Sequence, residues 1–232
     1  ESAIAAAKTC DVIVFALGEA RDWTGENASR SLLTLTGRQQ ELFDAVTASV
    51  PNKPVVTIVA SGRPLALPTV SERSSALFYA FHGGDGCPAA LAELLTGKAS
   101  PSGRLTISVP FDVSQVPVYY NSYTTGRPTY GHYLDTPERG AMYPFGFGLT
   151  YSKFEYSSPQ VEGRMVKATI KNVGTREATE TVQLYVRQRA CAEGARPKCE
   201  FRGFQRVTLK PGQAREVVFA LTSEVLGYVD RR

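Results

Sequence analysis

Glu19, Asp22 and Glu26 share one short stretch, Gly18–Arg30 (GEARDWTGENASR), with Arg21, Arg30 and Trp23, the chain's only tryptophan. An indole face flanked by carboxylates suits a sugar ring, which is apolar on its faces and hydroxylated around its edge. Carbohydrate chemistry is therefore the first idea this stretch suggests. The plainer reading, that both glutamates are solvated loop acids, stands beside it.

The elements around the stretch decide whether it can be a site. It follows Asp11–Leu17 (DVIVFAL), whose unbroken apolar character predicts a strand buried on both faces. In open α/β sheets, ligands bind just beyond the carboxyl ends of the strands, which is where this polar loop falls. Thr36 is placed to cap a helix starting near Gly37, with Leu42, Phe43 and Val46 on one face. Pro51, Asn52 and Pro54 end that helix, and Val55–Ala60 (VVTIVA) reads as a second buried strand turned by Gly62, Arg63 and Pro64. Ala76–Phe81 predicts a third strand, followed by a glycine-rich loop and a helix from Pro88 to Leu95. This order predicts a mostly parallel sheet with crossovers, a partial α/β sandwich with fewer strands than such a domain normally uses. The amino-terminal residues read as the end of a helix running into a strand, so a fragment or processed chain is expected.

Residues 98–146 carry six prolines and six tyrosines, a long connection whose aromatics predict packing on a surface rather than disorder. Beyond Tyr151 the pattern changes to strands: Met165–Val173, Thr181–Arg187, Phe201–Leu209 and Arg215–Leu221 alternate, with turns at Asn172–Gly174 and Lys210–Gly212. The fold class expected is thus α/β followed by all-β, the second part a β-sandwich of immunoglobulin or fibronectin type III shape.

Composition narrows the function classes. With 43% hydrophobic residues in 232, the chain can bury a core; its net charge of +4 is small and interspersed. No basic stripe suggests nucleic acid, and no apolar run suggests a membrane span. Only His82 and His132 are present, so neither a zinc site nor any other metal or cofactor is expected. Cys191 and Cys199 bracket a Gly- and Pro-containing loop between strand-like runs, where a disulfide, and with it an oxidising compartment, is expected. Cys10 and Cys87 sit among small residues and read as inert core thiols. Ser61 reads as a turn residue, since no His/Asp set accompanies it. His82 reads as a loop brace, and the glycines at 83–86 lack dinucleotide-binding spacing.

An ordered set of motifs adds a resemblance. PSGRL (Pro101–Leu105), PVYYN (Pro117–Asn121), TGRP (Thr125–Pro128) and YPFGFGLTYSKFEY (Tyr143–Tyr156) occur in series. IKNVG (Ile170–Gly174), VQLYV (Val182–Val186) and FRGFQRVTLKPG (Phe201–Gly212) follow. Together they resemble the carboxyl-terminal half of glycoside hydrolase family 3, especially bacterial periplasmic-type β-glucosidases. The resemblance implies residues 1–111 as the later part of the family's α/β sandwich, 112–150 as the packed connection, and 151–232 as an incomplete fibronectin type III-like domain. It also implies an amino-terminal barrel, on the same precursor or a partner chain, that carries the aspartate nucleophile and is absent here.

On that resemblance the chain would supply the general acid/base of an exo-acting, retaining β-glucosidase, periplasmic or secreted, acting on a β-linked oligosaccharide or glucoside without a cofactor. Glu26, four residues before Arg30, is the preferred acid/base; Glu19, at the strand tip, competes for the role. Trp23 is expected as a sugar platform or as a plug against the barrel, Asp22 as a hydroxyl partner or a surface acid. Arg30 is expected to brace the loop or to orient Glu26. Thr36–Leu42 (TGRQQEL) is close to segments of xylosidases, so β-xylosidase or dual specificity is the alternative. A non-catalytic carbohydrate-associated fragment is the reading from another class, and it describes the chain in isolation.

Overall fold

The computed structural model of the chain describes residues 1–123, 134–135, 140–189 and 195–228. They fall into two compact units. The first is Glu1–Ala89 with Ile107–Val118 and Gly131–Pro144, and the second is Ala90–Thr106 with Tyr119–Tyr130 and Phe145–Arg232.

The first unit runs α1 (Ser2–Thr9), β1 (Ile13–Gly18), α2 (Gln39–Ser49), β2 (Val55–Ala60), α3 (Pro68–Arg73) and β3 (Ala76–Tyr79). Helices α2 and α3 are the crossovers that make β1-β2-β3 a parallel sheet. The register runs from Ile13↔Val55 to Gly18↔Ala60, and from Val56↔Ala76 to Val59↔Tyr79, so all three strands end together. Ile13, Phe15 and Leu17 enter a core with Phe43, Val46, Val59, Leu65 and Val70. Phe15 and Phe43 meet ring to ring at 4.9 Å. Val14, on the other face of β1, is 53% exposed. The strand expected to be buried on both faces is therefore covered on one among the described residues, and its apolar run is half surface.

Three local expectations are corrected. Helix α2 begins at Gln39 with Arg38 as an N-cap that makes no side-chain bond. Thr36 instead serves the end of β1, because its hydroxyl donates to the Gly18 carbonyl at 3.4 Å and accepts from the Gln39 amide at 3.0 Å. Strand β3 stops at Tyr79, and Phe81 takes a φ of 51°, a left-handed backbone that cannot continue a strand. Cys10 is exposed at the carboxyl end of α1 and Cys87 is half-buried, so neither is a core thiol. What closes α1 is Lys53, whose ammonium donates to the carbonyls of Ala7 (2.9 Å) and Lys8 (2.7 Å).

Helix α4 (Cys87–Leu95) follows in sequence. The second unit holds β4 (Phe154–Tyr156), β5 (Gln160–Glu162), β6 (Met165–Asn172), β7 (Ala178–Val186), β8 (Glu200–Leu209), β9 (Ala214–Ala220) and α5 (Ser223–Leu226). Antiparallel β4-β6-β5 with β9 on β6 makes one sheet, and β7-β8 makes the other. Ile170, Val182, Val207, Leu209 and Val217 come from both sheets into one core, which makes the unit a β-sandwich. At one end Asn172, fully buried, donates to the carbonyls of Arg176 and Leu209 (2.8 Å each) and accepts from the Ser152 hydroxyl (2.7 Å) and the Gly174 amide (3.0 Å).

Aromatic residues of the long connection are packed within each unit. In the first, Tyr143 pairs with Val109 and lies 6.1 Å from the Tyr79 ring. In the second, Tyr120 stacks on Phe145 at 4.2 Å and Phe145 meets Phe201 at 5.5 Å. The expected disulfide partner Cys191 lies outside the described residues, as do Thr125–Pro128. Cys199 is a free thiol whose Sγ lies 3.7 Å from the Tyr120 carbonyl.

Candidate active site

The loop after β1 leaves the sheet through a backbone that only glycine allows. Gly18 has φ 148°, and a Cβ there would stand 1.8 Å from the Ala60 carbonyl oxygen. The Gln39 side chain holds both polar groups of Gly18, accepting from its N–H and donating to its carbonyl at 2.8 Å each. The loop therefore starts from a fixed point.

Because Gly18 pairs with Ala60, Glu19 and Ser61 emerge side by side from neighbouring strands. The Glu19 carboxylate is wholly enclosed. Its Oε1 accepts from Arg30 Nη1 at 2.7 Å, and its Oε2 accepts from the Ser61 hydroxyl at 2.7 Å and from Arg63 Nε at 3.1 Å. Burial alone would raise its pKa; the Ser61 hydroxyl and the Arg30 and Arg63 guanidiniums outweigh that and hold it below the usual range. One carboxylate faces two guanidiniums that are themselves largely buried, which leaves the cluster one positive charge in excess.

Both arginines then reach into the loop. Arg30 donates to the Thr34 carbonyl at 2.9 Å and lies under the Trp23 ring, 5.3 Å from its centroid. Arg63 Nη2 donates to the carbonyls of Trp23 (2.6 Å) and Ala28 (2.8 Å). Between those two carbonyls the chain makes a turn, closed by the Ala28 amide on the Gly25 carbonyl at 3.2 Å. Gly25 (φ 105°) and Asn27 (φ 60°) are both left-handed, and Glu26 between them stands exposed at the apex. Asp22 is exposed on the short helical turn Arg21–Trp23, and the Trp23 indole is 48% exposed.

The loops after the other two strands close on the same edge. A Cβ on Gly62 would lie 1.8 Å from Thr24 Oγ1 and 3.2 Å from His82 Nε2, so Thr24 and the exposed His82 pack against Gly62. Ser61, 1% exposed, is bonded to Glu19 and to the Arg63 amide. No cluster of three or more metal-ligating side chains exists among the described residues.

The structure thus gathers all five sequence-derived candidates on one loop but gives them different surroundings. Glu19 and Arg30 face inward and are bonded to each other; Asp22, Trp23 and Glu26 face solvent. Arg63 was not among the candidates. Its signal was available, since an arginine just past the end of β2 is within reach of any acid just past the end of β1. An exposed carboxyl group beside a half-exposed indole can offer a proton and a ring face to a ligand, whereas the enclosed carboxylate can offer only charge to its two arginines.

Residues 1–151 match the Glycosyl hydrolase family 3 C-terminal domain, and residues 180–232 match a Fibronectin type III-like domain. A protein named periplasmic beta-glucosidase from Salmonella typhimurium is 35% identical over 98% of this chain and 31% of its own length. One named beta-xylosidase from Formosa agariphila is 34% identical over 99% of the chain and 32% of its length. The crystal structure of a beta-glucosidase from Listeria innocua in complex with glucose superposes with a TM-score of 0.88 at 36% identity, covering 96% of this chain and 32% of that one. The chain spans about a third of the length of these relatives.

Proposed function

This chain belongs to glycoside hydrolase family 3, and from that premise we propose that it supplies the general acid/base of an exo-acting, retaining β-glucosidase. The observation that carries the assignment is Glu26 at the exposed apex of a loop whose base and both limbs are bonded down. In the first step Glu26 gives its proton to the glycosidic oxygen while an aspartate on a barrel, outside this chain, attacks the anomeric carbon. In the second it takes the proton of the water that releases the sugar. Glu19 is the poorer acid: it is enclosed, faces two guanidiniums and is held ionised, whereas the step needs a carboxyl group that keeps its proton near neutral pH. Trp23 offers a ring face to the sugar, and Asp22 a carboxylate to its hydroxyls. Arg30, bonded to Glu19 and Thr34, frames the loop.

The barrel would come from the same precursor or from a partner chain, and without it the isolated polypeptide should be inactive. The name of the Salmonella relative favours a periplasmic or secreted enzyme. The Formosa relative keeps β-xylosidase as the second reading, and specificity would rest mostly on the barrel.

The test uses the enzyme that includes the barrel. Hydrolysis of nitrophenyl β-glucoside over β-xyloside supports the first reading; the reverse order supports the second. Glu26→Ala should lose turnover of natural disaccharides by about 10²–10⁴-fold, keep glycosylation by substrates with very acidic leaving groups such as dinitrophenyl β-glucoside, and release glycosyl azide from those substrates when azide is added. Full activity in Glu26→Ala rejects the acid/base assignment.

A further inference from the structure

We infer that Arg63 is the positioning residue of the Glu26 turn, acting from the loop after β2 on a turn that belongs to the loop after β1. The inference rests on the reading of Glu26 as acid/base, and three observations carry it. First, Arg63 donates to the carbonyls of Trp23 and Ala28, one on each side of Glu26, so a single guanidinium closes the turn from beneath. Second, the same guanidinium gives its Nε to Glu19, whose backbone amide is tied to Ala60 at 2.9 Å, so the turn is referred to the rigid sheet. Third, among the described residues the turn's own closure is one backbone hydrogen bond, the Ala28 amide on the Gly25 carbonyl at 3.2 Å, across the left-handed Gly25 and Asn27. The planar fork of arginine fits this task, because one plane serves an acid on one side and two carbonyls on the other.

A general acid must reach the leaving oxygen within hydrogen-bond distance, and misplacement by about 1 Å can cost a hundredfold. Arg63 touches neither substrate nor proton. It sets where the Glu26 turn can be when the substrate arrives.

Arg63→Lys is the informative variant, because lysine keeps a charge but has one nitrogen, which cannot reach Glu19 and the two carbonyls together as Nε and Nη2 of Arg63 do. Amide hydrogen exchange on this chain should speed up by about tenfold or more across residues 20–30, with β1 and β2 unchanged. In the enzyme with its barrel, kcat on alkyl or disaccharide β-glucosides should fall about ten- to a hundredfold with KM little changed. Dinitrophenyl glucoside, whose leaving group needs no proton, should lose less than about threefold in glycosylation rate. Unchanged exchange in residues 20–30, or an equal loss on both substrate types, overturns the inference. Glu26→Gln run in parallel separates the two claims. If it lacks the same leaving-group dependence, the acid/base reading falls, while the exchange data still report whether Arg63 holds the turn.

Discussion

Replacing Glu19 by glutamine tests whether the enclosed carboxylate is the charge that holds the strand ends together. Glutamine keeps the volume and one carbonyl oxygen, but it puts an amide donor against a guanidinium and leaves two arginines without a counter-charge. The contacts, at 2.7 and 3.1 Å between heavy atoms, correspond to about 5–6 kcal/mol of attraction each at an effective dielectric of about 20. Much of that is offset by the desolvation of the ions, and breaking a buried pair typically costs about 3–5 kcal/mol. The arginine side chains remain 10% and 19% exposed, so they can regain some hydration, which places the expected loss near the lower end, about 3 kcal/mol. Urea unfolding followed by Trp23 fluorescence reads the loss locally, because the indole lies over Arg30. The sign with pH is fixed by the depressed pKa. The carboxylate stabilises the unit above its ordinary value of 4.5, and that contribution disappears as the pH falls through the lower, folded-state value. Stability of the unchanged protein should therefore drop on acidification below about pH 4.5 more steeply than that of Glu19→Gln. A loss under about 1 kcal/mol at pH 7, or parallel pH curves for the two proteins, would refute the reasoning.

Three further outcomes follow from single positions. Gly18→Ala should leave the first unit unfolded or insoluble, seen by circular dichroism, because the added methyl lands on the Ala60 carbonyl and the backbone φ of 148° is strained for any side chain. Asn172→Asp should cost the sandwich about 3 kcal/mol or more in urea at pH 7, since a carboxylate cannot donate to the Arg176 and Leu209 carbonyls; a loss below 1 kcal/mol would contradict that accounting. Tyr156→Phe should cost about 1–2 kcal/mol in the same assay, because its hydroxyl donates to Glu180 Oε1 at 2.8 Å while Arg104 holds the other oxygen. An unchanged midpoint would show that water replaces that bond.

The parts of the fold legible from sequence are those where neighbouring residues carry the information. Val55–Ala60 and the four alternating runs of the sandwich announce themselves by apolar pattern, and Lys210–Gly212 by turn chemistry. Strands β4 and β5, three residues each, are too short to show a period. Thr36 looks like a cap because it precedes a helix, yet the Gln39 amide, three residues on, binds it from inside that helix. The cluster around Glu19 is legible only to a reader who already knows which strands pair. Its members are Glu19, Arg30, Ser61 and Arg63, and only the pairing of Gly18 with Ala60 brings the two pairs together. Sequence reading could name two glutamates on the loop and prefer Glu26 only through the resemblance, because a carboxyl group's surroundings are not written in its own neighbours. The parallel register supplies two guanidiniums and a hydroxyl to the residue at the strand tip and holds it ionised. The turn seven residues later lifts Glu26 clear of them into solvent, so on the proposed acid/base reading the same pairing that holds one carboxylate ionised also braces the turn that carries the other.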